Sequence, residues 1–115
     1  MKSLVASIFV VLVAPWAYAV EIVMAEYDST TKSLTLELAF AGGHQDHQFS
    51  LQWDTCQERA GVKEIAARLM DSGHNDAGRN ELFQTVNFNL SSLACRPSWL
   101  TIRSGRFSHK TLWIE

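Results

Sequence analysis

Alternation of apolar and polar side chains at a period of two is the feature that most limits what this chain can fold into. Leu34, Leu36, Leu38 and Phe40 are interleaved with Thr35, Glu37 and Ala39. Phe49, Leu51 and Trp53 are interleaved with Ser50 and Gln52, and Leu82, Gln84, Val86, Phe88 and Leu90 with Phe83, Thr85, Asn87 and Asn89. A pleated strand sends successive side chains to opposite faces, so each run presents one greasy face and one wet face. Ile22 to Tyr27 reads as a first strand. Trp99 to Arg103 and Thr111 to Ile114 are rich in β-branched and aromatic residues and read as the last two. Turn formers separate the runs: Asp28 to Lys32, Ala41-Gly42-Gly43, Asp71 to Gly78, and Ser104-Gly105. The expectation is an all-β fold, a single antiparallel β-sandwich of about seven strands.

One segment resists this reading. Val62, Ile65, Ala66 and Leu69 fit helical spacing, and alanine content with Glu64 four residues before Arg68 supports a helix. Ile65, Ala67 and Leu69 equally fit a strand.

The first residues read as an export address. Lys2 precedes an apolar run from Leu4 to Val13, and Ala17-Tyr18-Ala19 has the small-x-small pattern of a cleavage site. Residues 1–19 are therefore expected to be a signal peptide, helical before cleavage, and 20–115 the sandwich domain. The run is too short for a spanning helix, so no stable membrane insertion is expected after cleavage. A periplasmic or secreted location follows. In such a compartment an even pair of cysteines reads as a disulfide, here Cys56 with Cys95; two buried thiols are the alternative.

Without Lys2 the chain has nine Lys and Arg against twelve Asp and Glu, a formal charge of −3. This excludes the basic balance of a nucleic-acid binder. The final twenty residues depart from the average: Arg96, Arg103, Arg106 and Lys110, with His109, face Glu115 as the only acid. A basic strip of this kind attracts anions, although positive charge on edge strands also guards against aggregation.

His44-Gln45-Asp46-His47 is the densest cluster of chemically capable side chains. Imidazole and carboxylate suit zinc or copper, with His44 and His47 as the metal candidates. A further ligand would have to come from Asp71, His74 or Asp76. The competing reading is a loop-to-strand junction with His47 half-buried and hydrogen-bonded. The stretch Asp71 to Asp76 is oxygen-rich like a calcium loop, but lacks the regular spacing and closing Glu of one. No nucleophile elbow, redox cysteine pair or phosphate-cradling glycine loop occurs, so no catalytic residue is assigned and no cofactor is required. Trp53, Trp99 and Trp113 are expected in the core, where large rings bury the most area. Phe83 is out of phase with Leu82 and Val86, which marks an exposed contact residue or a bulge.

The order of segments resembles an uncharacterised family of small exported bacterial β-sandwich proteins. In that family a Gly-Gly turn is followed by a short polar run with His and then Phe-x-Leu, here Gly42-Gly43-His44 and Phe49-Ser50-Leu51. A Cys, an Ala-x-Leu-x-Asp strand and an acidic loop come next, here Cys56, Ala67 to Asp71, and Asn75-Asp76. A Leu-Thr-Ile strand, a turn and a last strand complete it, here Leu100 to Ile102, Ser104 to Arg106, and Thr111 to Ile114. The resemblance implies a strand for residues 64–71. It carries no catalytic residues. This chain has His44 and Gly78 where related chains carry additional cysteines, so the Cys56–Cys95 pairing rests on parity alone.

Together these features suggest a non-catalytic binding or interaction domain for an unknown protein or small ligand. Its contact surface would be the loop end at 42–47 and 71–78, with His44, Asp46, His47, Asp71, His74 and Asp76, or the final hairpin with Arg103 and Arg106. A periplasmic hydrolase inhibitor and a metal-binding protein are the alternatives.

Overall fold

The computed structural model describes residues 20–43, 47–72 and 78–115. The fold is all-β, two sheets packed face to face, as the alternation requires. β1 (Glu21–Asp28), β2 (Ser33–Gly42) and β6 (Asn80–Asn89) form one sheet in the order β1-β2-β6. β3 (Phe49–Trp53), β4 (Gln57–Arg59), β5 (Val62–Asp71), β7 (Ser98–Ser104) and β8 (Ser108–Ile114) form the other, in the order β3-β5-β7-β8 with β4 also on β5. Residues 1–19, expected from the sequence as a signal peptide, lie outside the described residues.

The core forms where the two inner faces meet. Leu34, Leu36, Leu38 and Phe40 of the central strand β2 are buried, with Ile22 beside them. Ile65, Ala67 and Leu69 of β5, Leu100 and Ile102 of β7, and Ile114 of β8 close the opposite side. The ambiguous segment is therefore a strand, with the period-two residues Ile65, Ala67 and Leu69 as its inner face. Pairing on both sides decides the matter, a long-range effect that local propensity does not contain.

Two features differ from the expected antiparallel sandwich of about seven strands. Eight strands occur among the described residues, and β5 pairs with β7 in parallel, Ile65 opposite Leu100 and Ala67 opposite Ile102. The chain leaves β5, crosses to the other sheet as β6, and returns in its original direction, so β6 fills the role a helix plays in most parallel crossovers.

The extra strand comes from an interruption. Trp53 pairs with Ala67 and Gln57 with Glu64, so three residues on one strand span the length of two on the other. That is a β-bulge, which splits one edge strand into β3 and β4. Cys56 sits in the bulge and is bonded to Cys95, confirming the pairing inferred from parity. The disulfide ties the exposed edge to the buried start of the β7 approach, where Cys95 is part of the core. Arg96, which follows a buried cysteine and precedes a cis Pro97, donates from Nε to Leu93 O, from Nη1 to Glu115 O and from Nη2 to Ser91 O. It is thus committed to carbonyls and does not belong to a free basic strip.

Trp99 and Trp113 are not in the core. They pair across β7 and β8 on the outer face, 45% and 38% exposed, with ring centroids 5.1 Å apart in an edge-to-face arrangement. Leu100, Leu112 and Ile114, one residue out of phase, take the inner positions. Trp53 does pack against the core, and Phe83 is 62% exposed on the outer face of β6.

β4 and β5 are joined by Ala60-Gly61, both with positive φ, 54° and 82°. Two positive φ values are the mark of a type I′ hairpin turn, which asparagine and glycine occupy without the strain that a Cβ brings to alanine. Ala60→Asn is expected to stabilise the domain by roughly 0.5–1 kcal/mol, read as a raised thermal midpoint. Cys56→Ser opens a loop of 39 residues. The chain-entropy cost is about 4 kcal/mol, and the midpoint should fall by about 15 °C or more in calorimetry.

Candidate functional site

The described candidates gather at one end of the sandwich, where β2 and β5 end and β3 and β6 begin. His47 precedes β3 and is 3% exposed. Its Nδ1 lies 2.8 Å from Oδ2 and 3.0 Å from Oδ1 of Asp71, the last residue of β5. Its ring stands 4.6 Å from Phe40 and 6.2 Å from Phe49 between centroids. An imidazole packed among aromatic rings loses water, and the adjacent carboxylate supplies a polar partner in return. The Gln84 amide Nε2 donates to His47 O at 3.1 Å, which ties this junction to β6 on the facing sheet. Ser72 N donates to Gln48 O, extending the link between the start of β3 and the end of β5.

His47 and Asp71 are thus brought together, and the hydrogen-bonded junction is the arrangement observed. At 3% exposure the imidazole has no open approach for a substrate. The other members of the cluster, His44, Asp46, His74 and Asp76, lie outside the described residues. Among the described residues no three His, Cys, Asp or Glu stand close enough to hold an ion.

Gly78 fixes how the two loops of this end meet. A Cβ built on it would overlap the backbone N and Cα of Gly43 and the carbonyl carbon of Gly42. Only two glycine backbones approach so closely, so the Gly-Gly turn after β2 and the residue leading into β6 are matched to one another.

Beside this junction, between the β1 and β8 edges of the two sheets, lies an open trough of about 730 Å³. The edges are joined at its floor, where Ile22 N donates to Ser108 Oγ at 2.8 Å. Arg79, Arg106, His109 and Lys110 line it with the acids Glu21 and Glu81. None of Arg79, Arg106 and Lys110 forms an ion pair among the described residues. Lys110 lies opposite Ile102, so it sits in the inward phase of an edge strand, where a charge also discourages pairing with another sheet. Phe107 also lines the trough and is 91% exposed at the tip of the three-residue connection between β7 and β8.

The two arginines chosen from the sequence part company. Arg106 enters the trough, whereas Arg103 lies on the outer face opposite His109 and Arg68. Sequence reasoning missed Arg79 and Phe107. Phe107 had a legible signal, an aromatic residue inside a turn with no alternating partner. Arg79 had none, because its neighbourhood depends on how the sheets stack. No protein-family model matches the chain, and no curated protein shows significant similarity to it.

His47→Ala removes the imidazole from Asp71 and leaves a void beside Phe40 and Phe49. The expected loss is about 2–3 kcal/mol in denaturant unfolding. Gly78→Ala forces the Gly43 backbone away and should cost about 1–3 kcal/mol, with amide exchange rising at residues 42–43 and 78–80.

Proposed function

We propose that this protein is an exported, non-catalytic interaction domain that grips a protein partner with the β7–β8 hairpin tip and the basic trough beside it. The observation that carries this reading is Phe107. A phenylalanine with 91% of its surface in water contributes nothing to the fold, and here it is held at a short turn next to cations that form no ion pair among the described residues. Aromatic and arginine side chains supply most of the energy at protein interfaces, and preorganised loops on a rigid sandwich lose little entropy on binding. The partner matching this surface offers an apolar socket flanked by carboxylates or another anionic group. The apolar leader and the Cys56–Cys95 bridge support a periplasmic or secreted setting, since disulfides persist in oxidising compartments.

The same tip supports a second reading, inhibition of a hydrolase by insertion of Phe107 into its active-site cleft, the mode in which rigid inhibitors change shape little on binding.

Immobilised protein is presented with a bacterial periplasmic extract, alongside Phe107→Ala and Arg106→Glu. Both positions are exposed, so unfolding free energies should stay within about 0.5 kcal/mol of the parent. The expected result is a protein retained by the parent and lost by both variants. Equal recovery by all three, or no specific capture at all, removes the hairpin tip as the contact. The inhibitor reading survives only if the captured protein is a hydrolase slowed by the parent domain and not by Phe107→Ala.

A further inference from the structure

The geometry points to a second binding site on the outer face of the five-stranded sheet, a groove beside Trp99 that takes a pyranose unit of a neutral glycan. Its residues are separate from those of the trough, and it goes beyond the interaction role of the hairpin tip.

The outer face of β5, β7 and β8 is ordered in cross-strand rows. Glu64, Trp99 and Trp113 form one row, Ala66, Thr101 and Thr111 the next, and Arg68, Arg103 and His109 the third. Ala66 is the small member at the centre, so the face is hollow there between the taller rows. The bulge raises a lip along the open side, where Asp54, Thr55 and Gln57 stand beside the hollow. The open groove holds about 370 Å³, within the roughly 300–1,000 Å³ of small-ligand sites. The disulfide at Cys56 anchors that lip from within, so the wall is preformed.

The lining selects the ligand class. Trp99 lines the groove with a half-exposed indole, and the negative π face of such a ring attracts the weakly positive C–H face of a sugar. Carboxylates of Asp54 and Glu64 and the Gln57 amide oxygen accept hydrogen bonds. The Gln57 amide nitrogen and the Arg103 guanidinium donate them. Thr101 Oγ1 and Thr111 Oγ1 stand 2.9 Å apart and can do both. A ring carrying several hydroxyls, each donor and acceptor, matches that mixture. Asp54 and Glu64 face Arg103 in the groove, with Arg59 beside Glu64, so the charges nearly cancel and an uncharged ring suits the site better than a phosphate. Arg59 Nε lies 3.7 Å from Glu64 Oε1 and steadies the acid at the groove's far end.

The full mature domain is titrated by calorimetry with cellotriose, maltotriose and triacetylchitotriose. At least one is expected to bind with a millimolar or tighter Kd. Trp99→Ala should weaken that binding by about tenfold or more, Trp99→Phe should restore most of it, and Phe107→Ala should leave it unchanged. Ala66→Leu fills the hollow while keeping every hydrogen-bonding group, and should abolish binding with the fold intact. It carries the test if Trp99→Ala does not fold. Failure of all three trisaccharides to bind at millimolar concentration overturns the site, as does unchanged affinity in the folded variants. Loss of sugar binding leaves partner capture by the hairpin tip untouched, so the two proposals fail separately.

Discussion

Contact between the inner row of β2 and the inner rows of β5 and β7 is the interaction on which the rest of this structure rests. Leu34, Leu36 and Leu38 are shielded from water only because Ile65, Ala67, Leu100 and Ile102 lie across from them. A domain of this length has a single core and a small stability margin, so neither sheet persists without the other. Every candidate surface hangs on that layer. The His47–Asp71 junction sits at its end, the basic trough at one open flank, and the Trp99 groove on its back. The polar anchors then fix positions rather than supply the bulk of the stability: Gln84 to His47 O on one flank, Ile22 N to Ser108 Oγ on the other.

Much of this layer was legible from the amino acids. The run Leu34 to Phe40 alternates with only the small Ala39 departing from the pattern, and its partners Leu82 to Phe88 follow the same period apart from Phe83 and Gln84, the latter in an inward phase that the structure uses to hold a main-chain carbonyl. The final two strands emerged from β-branched and aromatic content. Their facing did not. At Trp99-Leu100 and Leu112-Trp113 both phases are apolar, and side-chain size favours the tryptophans as core. The sheet places the smaller residues inward because β7 is central and the space against β2 admits leucine and isoleucine. The outer face has room for indoles.

The parts that were not legible are those set by distant contacts. The parallel pairing of β5 with β7 requires knowing where β6 goes, which no local pattern specifies. The helical alternative for Val62 to Leu69 falls for the same reason, and the strand that the resemblance implied for residues 64–71 is the one observed. Arg96 looked like one charge among several, yet three carbonyls occupy it. His47 as a hydrogen-bonded junction residue and Cys56–Cys95 as a bridge were both within reach, since one followed from its place next to a strand and the other from an even count of cysteines behind an expected export signal, although His47 is more deeply buried than its position suggested.

The bridge between residues 56 and 95 also encloses a topological unit. β4, β5 and β6 all lie within it, so the entire out-and-back excursion from one layer to the other occurs inside a closed ring. Non-local strand pairing is slow because distant segments must meet by diffusion before any contact rewards them. Once the ring is closed, the start of β5 and the approach to β7 are already neighbours, and the entropic penalty of bringing them together has been removed in advance. A bridge closed before the sheets assemble therefore guides the least local step, and the reduced chain must find the same parallel register by unaided search.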